Sequence, residues 1–191
     1  MLISLEGSSP TIAGSNNYKH YVWQVHSQTT QAQKLYLEGP AAVSWGPSPI
    51  NIRKMSNTAT VFAKSAAGKL FLIGWSRGAA ACIQVAHDLK RAGDTKIDAM
   101  FLFDAVDQDG STNSNLNLIP DSVINVYHAI ATRKTWMERQ LFPTCGKNAA
   151  KGVNLVSEPF NTSHGGIAGA GNNDAGSKAW MWNHLKAEGV L

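Results

Sequence analysis

The pentapeptide GWSRG at residues 74–78 directly follows the apolar run of residues 70–73. Small and apolar residues come next and recur at helical spacing as far as Leu89. A Gly-x-Ser-x-Gly turn between a strand and a helix is typical of a nucleophile elbow, which exposes the central serine hydroxyl. Side chains at positions 74 and 78 would collide with the turn or with neighbouring strands, so glycine is expected at both. Ser76 is therefore the candidate nucleophile.

Two other interpretations of this turn stay open. Its small residues can serve packing alone, with no chemical role for the serine. It can also be a glycine-rich phosphate-binding turn, although the pattern GxxxxGK[ST] is absent from the chain.

A serine hydroxyl needs a neighbouring base before it can attack a carbonyl carbon. His164 is the best candidate, because it follows a predicted strand in a loop that glycines bend sharply; a solvent-exposed loop histidine is the alternative. The other histidines are too distant or lie in unsuitable sequence: His20, His26, His87, His128 and His184. His87, for example, is predicted about 16 Å along the same helix as Ser76. His128 lies inside an apolar strand, which favours a core histidine, and His184 is predicted on the surface of the last helix.

The third member of such a triad is a carboxylate that orients the imidazole and stabilises its charged form. Asp104 comes 28 residues after Ser76, at the end of the apolar strand predicted at 97–103. One helix, one short loop and one strand fit that interval, so Asp104 is expected at the same edge of the sheet as Ser76. Asp107 and Asp109 are the fallback candidates.

Backbone N–H groups near Ser76 are expected to stabilise a developing oxyanion. The first is the N–H of Arg77, the residue after the nucleophile. The second is expected from the loop after the first strand, where Gly7 and Ser8 are the candidates.

The order of the elements indicates an α/β protein. Strands are predicted at 1–5, 34–37, 69–74, 97–103, 122–131 and from 153, and helices at 51–66, 76–92 and 174–188. Residues 19–28 alternate only weakly and receive no assignment. Because several strands are apolar on both faces, we expect a mainly parallel sheet with helices on both sides, in one domain spanning residues 1–191.

Composition excludes several classes of function. The net charge of +4 comes from scattered lysines and arginines, which argues against nucleic-acid binding. No apolar run approaches the about 20 residues of a transmembrane helix, and no signal peptide is recognised. Cys82 and Cys145 have no zinc-site spacing, and Cys82 is expected to be a buried thiol. We predict no metal, no cofactor and a cytoplasmic location, with signal-independent export left open.

The hexapeptide GWSRGA at 74–79 resembles the GFSRGA elbow of a bacterial α/β-hydrolase family of uncharacterised domains, which includes phospholipase effectors of type VI secretion systems. Other segments similar to that family, in the same order, are LEGS (5–8), YLEGP (36–40), FDAV (103–106), YHAIA (127–131) and SHGG (163–166). Glu6 replaces the family's opening aspartate, and the glycines follow His164 directly. The chain is shorter than typical members, so the resemblance implies a compact α/β-hydrolase-like fold without a large cap domain.

Together these patterns predict a serine hydrolase that cleaves carboxylic esters, with a lipid ester or a small soluble ester as substrate. Trp45 in the loop 39–49, together with residues 136–142, is a candidate acyl pocket or ordinary core. Two alternatives stay open. One is a non-catalytic binding or scaffold protein on the same fold, and the other is a thioesterase, amidase or peptidase.

Overall fold

A computed structural model describes residues 1–8, 20–40, 48–93, 96–107, 114–141 and 143–191 of the chain. The strands in these ranges are β1 (Leu2–Leu5), β2 (Lys34–Leu37), β3 (Phe71–Trp75), β4 (Ile97–Phe103), β5 (Leu118–Ile119), β6 (Val123–Ala131), β7 (Asn148–Ala149) and β8 (Asn154–Phe160). The helices are α1 (Tyr21–Gln28), α2 (Ser48–Ala63), α3 (Arg77–Ala92), α4 (Trp136–Leu141) and α5 (Ser177–Ala187), with a 3₁₀ turn at Gly166–Ala168.

Six strands form one sheet in the order β2-β1-β3-β4-β6-β8, and every neighbouring pair is parallel. The short strands β5 and β7 pair separately. Because all six strands run the same way, their carboxyl ends meet at one edge, where parallel sheets of this kind bind ligands. We call this edge the carboxyl edge.

Apolar side chains cover both faces of the sheet, as predicted from the apolar strands. Met100 and Leu102 of β4 pack in one core with α2 and α3. Phe101 and Phe103 of the same strand pack in a second core with α1 and α5. A parallel strand between two helical layers has no face in solvent. Its sequence is therefore apolar along nearly its whole length and does not alternate between apolar and polar residues. The predicted α/β class and two-sided helical cover are confirmed.

The boundaries of several elements agree with their sequence patterns, although the strand predicted at 69–74 is observed at Phe71–Trp75. The predicted strands 34–37 and 97–103 coincide with β2 and β4. Helix α3 ends at Ala92, where Gly93 adopts the left-handed conformation expected of a helix stop (φ 68°). None of the helices in the described ranges has the length and hydropathy needed to span a membrane.

The sequence patterns did not predict two helices, α1 and α4, or the small sheet of β5 and β7. Residues 21–28, left unassigned, form α1, whose core-facing residues are Val22 and Val25. With Tyr21 and Trp23 also apolar, the helical period is obscured over eight residues. The unassigned residues His20 and His26 therefore belong to this helix: His20 occupies its N-cap position without a side-chain capping hydrogen bond, and His26 lies in its last turn.

Candidate active site

The turn after β3, the candidate nucleophile elbow, has a strained backbone. Ser76 adopts φ 56° and ψ −124°, which L-residues rarely occupy. A Cβ at Gly74 would lie 2.6 Å from the backbone N of Ala79, and a Cβ at Gly78 would lie 2.1 Å from the carbonyl O of Leu5. Both glycines are therefore required by close backbone approach, which confirms the steric argument made from the sequence.

Three side chains that lie far apart in the sequence meet at the carboxyl edge. Nε2 of His164 lies 2.9 Å from Oγ of Ser76, and Nδ1 of His164 lies 2.6 Å from Oδ2 of Asp104. Ser76 is only 4% exposed, so it is not exposed as the elbow pattern predicted; His164 is 8% exposed and Asp104 is fully buried. The indole N–H of Trp75 donates to the carbonyl O of His164 at 3.0 Å, which ties the histidine loop to the elbow.

Asp104 is held as an ionised acceptor. It follows β4 with φ 41°, and its N–H donates to the carbonyl O of Ala129. Burial raises the pKa of this carboxyl. The hydrogen bond and charge of His164 and the charge of Lys134 together lower the pKa by more than burial raises it, so the net shift is downward. A buried carboxylate with these partners stays ionised at neutral pH.

Lys134 and Thr144 complete the surroundings of Asp104, and the sequence analysis missed both. Nζ of Lys134 lies 2.7 Å from Oδ2 of Asp104, and the hydroxyl of Thr144 donates to Oδ1 at 2.9 Å. Lys134 also donates to the Thr144 hydroxyl at 2.8 Å. No sequence pattern marks either residue, since a lysine after a strand is ordinarily solvated.

The loop after β1 lies against the elbow. A Cβ at Gly7 would lie 2.5 Å from the Trp75 ring and 3.1 Å from Cβ of Ser76, so only glycine fits there. The N–H of Gly7 donates to Oε1 of the neighbouring Glu6 at 3.1 Å. Glu6 is buried and its other oxygen accepts from the Tyr36 hydroxyl at 3.1 Å. The Glu6 carboxylate therefore anchors this loop and engages one of the two predicted loop donors.

Three other described histidines lie outside the hydrogen-bond path from Asp104 through His164 to Ser76. His128 is fully buried in β6, and both ring nitrogens contact backbone groups, which confirms its prediction as a core histidine. The Nε2 of His87 lies 3.2 Å and 2.9 Å from the carbonyl oxygens of Asn115 and Leu118. His20 packs edge-on against Trp75 with 5.1 Å between ring centroids, and its Nδ1 lies 3.5 Å from Glu6.

Several further predictions fall outside this cluster. Asp109, Trp45 and Phe142 lie outside the described residues. Trp136 begins α4 and is 75% exposed, so it does not form ordinary core. Cys82 and Cys145 are buried free thiols, as expected for Cys82. The described ranges contain no group of three or more His, Cys, Asp or Glu side chains arranged to hold a metal ion.

No protein-family model and no curated protein sequence matches this chain. Its fold is similar to the Vlm2 thioesterase domain solved with a bound dodecadepsipeptide (TM-score 0.58, 9% identity, covering 100% of this chain and 93% of that one). It is also similar to the NocB thioesterase domain in covalent complex with a fluorophosphonate nocardicin G analogue (0.57, 12%, 96% and 93%). A third similar structure is the HSL homologue EstE7 from a metagenome library (0.59, 14%, 98% and 78%). The chain thus adopts the α/β-hydrolase fold, as predicted.

Proposed function

We propose that this chain is a serine hydrolase that cleaves carboxylic esters through an acyl-enzyme. The observation that supports this most is the unbroken hydrogen-bond path from Asp104 through His164 to Ser76. Its members follow β4, β8 and β3, and so lie together at the carboxyl edge. Packing alone explains a tight elbow, but it does not explain an imidazole placed between a buried carboxylate and a serine hydroxyl.

In the proposed reaction, Nε2 of His164 takes the proton of the Ser76 hydroxyl as Oγ bonds to the ester carbonyl carbon. The carbonyl π electrons move to oxygen to form an oxyanion. When they return, the bond to the alkoxide breaks, and the alkoxide leaves with the proton that His164 took from Ser76. Water then repeats these steps on the acyl-enzyme, with its proton going to His164 and then to the Ser76 oxygen, and the acid is released. Asp104 remains ionised throughout and stabilises the imidazolium.

Oxyanion stabilisation is assigned to backbone N–H groups of the elbow and the β1 loop. Arg77 directly follows the candidate nucleophile and begins α3, so its N–H lies at the N-terminal end of that helix. Since the Gly7 N–H donates to Glu6, Ser8 is the stronger candidate in the loop. The positive end of α3 favours the same charge.

A thioesterase is the second candidate function. Two of the similar structures are thioesterase domains, and an acyl-enzyme on Ser76 would serve thioesters and oxygen esters alike. The resemblance to phospholipase effectors favours a lipid ester, and this substrate class stays a prediction.

Labelling by a fluorophosphonate probe tests the nucleophile directly. We expect the wild-type chain to be labelled and Ser76→Ala to be unlabelled, with kcat reduced by about 10⁴-fold or more. Ser65→Ala removes an exposed serine and should label like wild type. Folded wild-type protein that resists the probe would favour the scaffold alternative.

A substrate panel then separates the enzyme classes. p-Nitrophenyl esters of increasing chain length, acyl thioesters and phospholipid vesicles should be compared by kcat/KM. Preference for p-nitrophenyl and phospholipid esters supports the esterase or lipase assignment. A thioester preference of about 100-fold or more would transfer the proposal to the thioesterase class.

A further inference from the structure

A buried lysine, Lys134, contacts the carboxylate of Asp104. Lys134 is only 9% exposed, although lysine is among the residues least often buried. Its Nζ lies 2.7 Å from Oδ2 of Asp104, the same oxygen that lies 2.6 Å from Nδ1 of His164. Burial of an ammonium group is costly unless a carboxylate compensates it, so this lysine and Asp104 depend on each other.

Two side chains, those of Lys134 and Thr144, form a closed ring of hydrogen bonds with this carboxylate. Lys134 donates to Oδ2 of Asp104 and to the hydroxyl of Thr144, and that hydroxyl donates to Oδ1. Contacts at both oxygens fix the rotation of the carboxylate about its Cβ–Cγ bond. Oδ2 is thereby directed at Nδ1 of His164.

The backbone places this lysine next to the histidine loop. Lys134 follows β6, which lies between β4 and β8 in the sheet. The N–H of Thr132 donates to the carbonyl O of Phe160, and the N–H of Arg133 donates to that of Thr162, both at 3.0 Å. The segments that end in Lys134 and His164 therefore leave the sheet side by side. Three adjacent strands thus deliver the aspartate, the lysine and the histidine.

We propose that Lys134 is a positioning residue of the active site, which orients the Asp104 carboxylate toward His164 and compensates its buried charge. This inference rests on the proposed function, because its consequence for rate depends on Ser76 acting as the nucleophile. Lys134 contacts Asp104 directly, so it is expected to act through the acid. Its loss is expected to affect kcat more than KM.

Kinetics of single and double variants test this role. Lys134→Met keeps most of the stem and removes the charge. We expect kcat to fall about 10- to 100-fold, less than the about 10⁴-fold typical of disabling a triad acid, while KM changes less than about threefold. Lys134→Arg, which restores a cation, should recover part of kcat. The exposed Lys151→Met is the control and should match wild type.

The double variant separates positioning from a general structural role. In an Asp104→Asn background, Lys134→Met should change kcat by less than about twofold, because the lysine acts through the carboxylate. An equal loss of kcat in both backgrounds would overturn the proposal. So would a Lys134→Met protein with wild-type kcat. If Lys134→Met does not fold, Thr144→Val replaces it, with an expected loss of about three- to tenfold, and an unchanged kcat there overturns the proposal.

A spectroscopic readout does not require activity. The Nδ1 proton of His164, facing a carboxylate at 2.6 Å, should give a far-downfield proton NMR signal that His164→Gln abolishes. We expect Lys134→Met, or Thr144→Val in its place, to shift or broaden this signal, whereas Lys151→Met leaves it in place. An unmoved signal contradicts the positioning role. If wild type hydrolyses no ester, the proposed function fails, and this signal still decides whether Lys134 orients the pair.

Discussion

Two buried histidines flank the end of β4, and their partners differ in kind. The ring of His128 accepts a hydrogen bond from the N–H of Ala105 at Nε2 (3.2 Å), and its Nδ1 lies 3.1 Å from the carbonyl O of Gly146. The ring of His164 instead lies between the side chains of Asp104 and Ser76. Backbone groups hold a neutral imidazole in place, whereas a carboxylate and a hydroxyl allow it to move a proton.

The electrostatics of His128 fit its structural role. Burial lowers its pKa to about 4, and only weaker contributions from Gly146 and the Asp104 charge oppose this. At neutral pH it is therefore uncharged, which matches one accepting and one donating nitrogen. Similar burial thus produces a rigid core contact at one position and a candidate base at the other.

Replacement of His164 is expected to have the largest effect. His164→Gln should reduce kcat by about 10⁴-fold or more, because Ser76 would lose its proposed base, while the free energy of unfolding changes little. Ester hydrolysis and urea denaturation measure the two quantities. His184→Gln, on α5, is the matched control and should retain wild-type kcat. Retention of a tenth or more of kcat by His164→Gln would remove the distinction between the two histidines.

Replacement of His128 should have the opposite profile. His128→Leu leaves the Ala105 N–H and the Gly146 carbonyl O buried without this partner, which should cost about 2–4 kcal/mol in the free energy of unfolding. The kcat of the folded fraction should stay within about tenfold of wild type. Urea denaturation and active-site titration measure both. A stable but inactive variant would mean that His128 takes part in the chemistry.

The pH dependence of stability sharpens the same contrast. Because the pKa of His128 is near 4 when folded and about 6.5 when unfolded, the unfolded chain binds the proton first as the pH falls. Stability from this group is therefore complete above pH 6.5 and decreases towards pH 4, by about 2 kcal/mol between pH 7 and pH 5. Urea denaturation at several pH values should show that slope.

The slope must be compared between proteins, because His26, His87 and His184 also have lowered pKa values and contribute with the same sign. Their share should persist in His128→Leu, so the difference between the two slopes isolates His128. Asp104, whose pKa is also lowered, contributes below this window. Equal slopes in wild type and His128→Leu would show that His128 does not titrate as its burial requires.

The smallest effects are expected from replacing two glycines: Gly7, which lies against Trp75 and Ser76, and Gly146, which lies near His128. Gly7→Ala places a Cβ against the Trp75 ring and Ser76, so kcat should fall about tenfold. Gly146→Ala puts a side chain at φ 67° near the end of the Ile83 side chain, which should cost about 1–2 kcal/mol of stability with kcat unchanged. Enzyme kinetics and urea denaturation of both variants measure kcat and the free energy of unfolding. A loss of kcat in Gly146→Ala but not in Gly7→Ala would contradict the expected difference.

Local patterns were sufficient for much of the fold. Apolar β4 between polar flanks, and α3 between the elbow and Gly93, have boundaries set by neighbouring residues, and both were predicted closely. The eight-residue α1 was missed because consecutive apolar residues obscure its period, and because it forms only when Val22 and Val25 pack on the sheet. Short helices gain most of their stability from such contacts.

The sequence by itself indicated the tight glycine turn, the parallel sheet and the candidate residues Ser76, Asp104 and His164, since steric limits on a turn and apolar strands act over short distances. Only the tertiary structure decided the surroundings: Lys134 against Asp104, and the Tyr36 hydroxyl of β2 donating to Glu6 after β1. These contacts depend on which segments leave adjacent strands at the same edge. That adjacency is a property of the sheet order, and no local pattern encodes it.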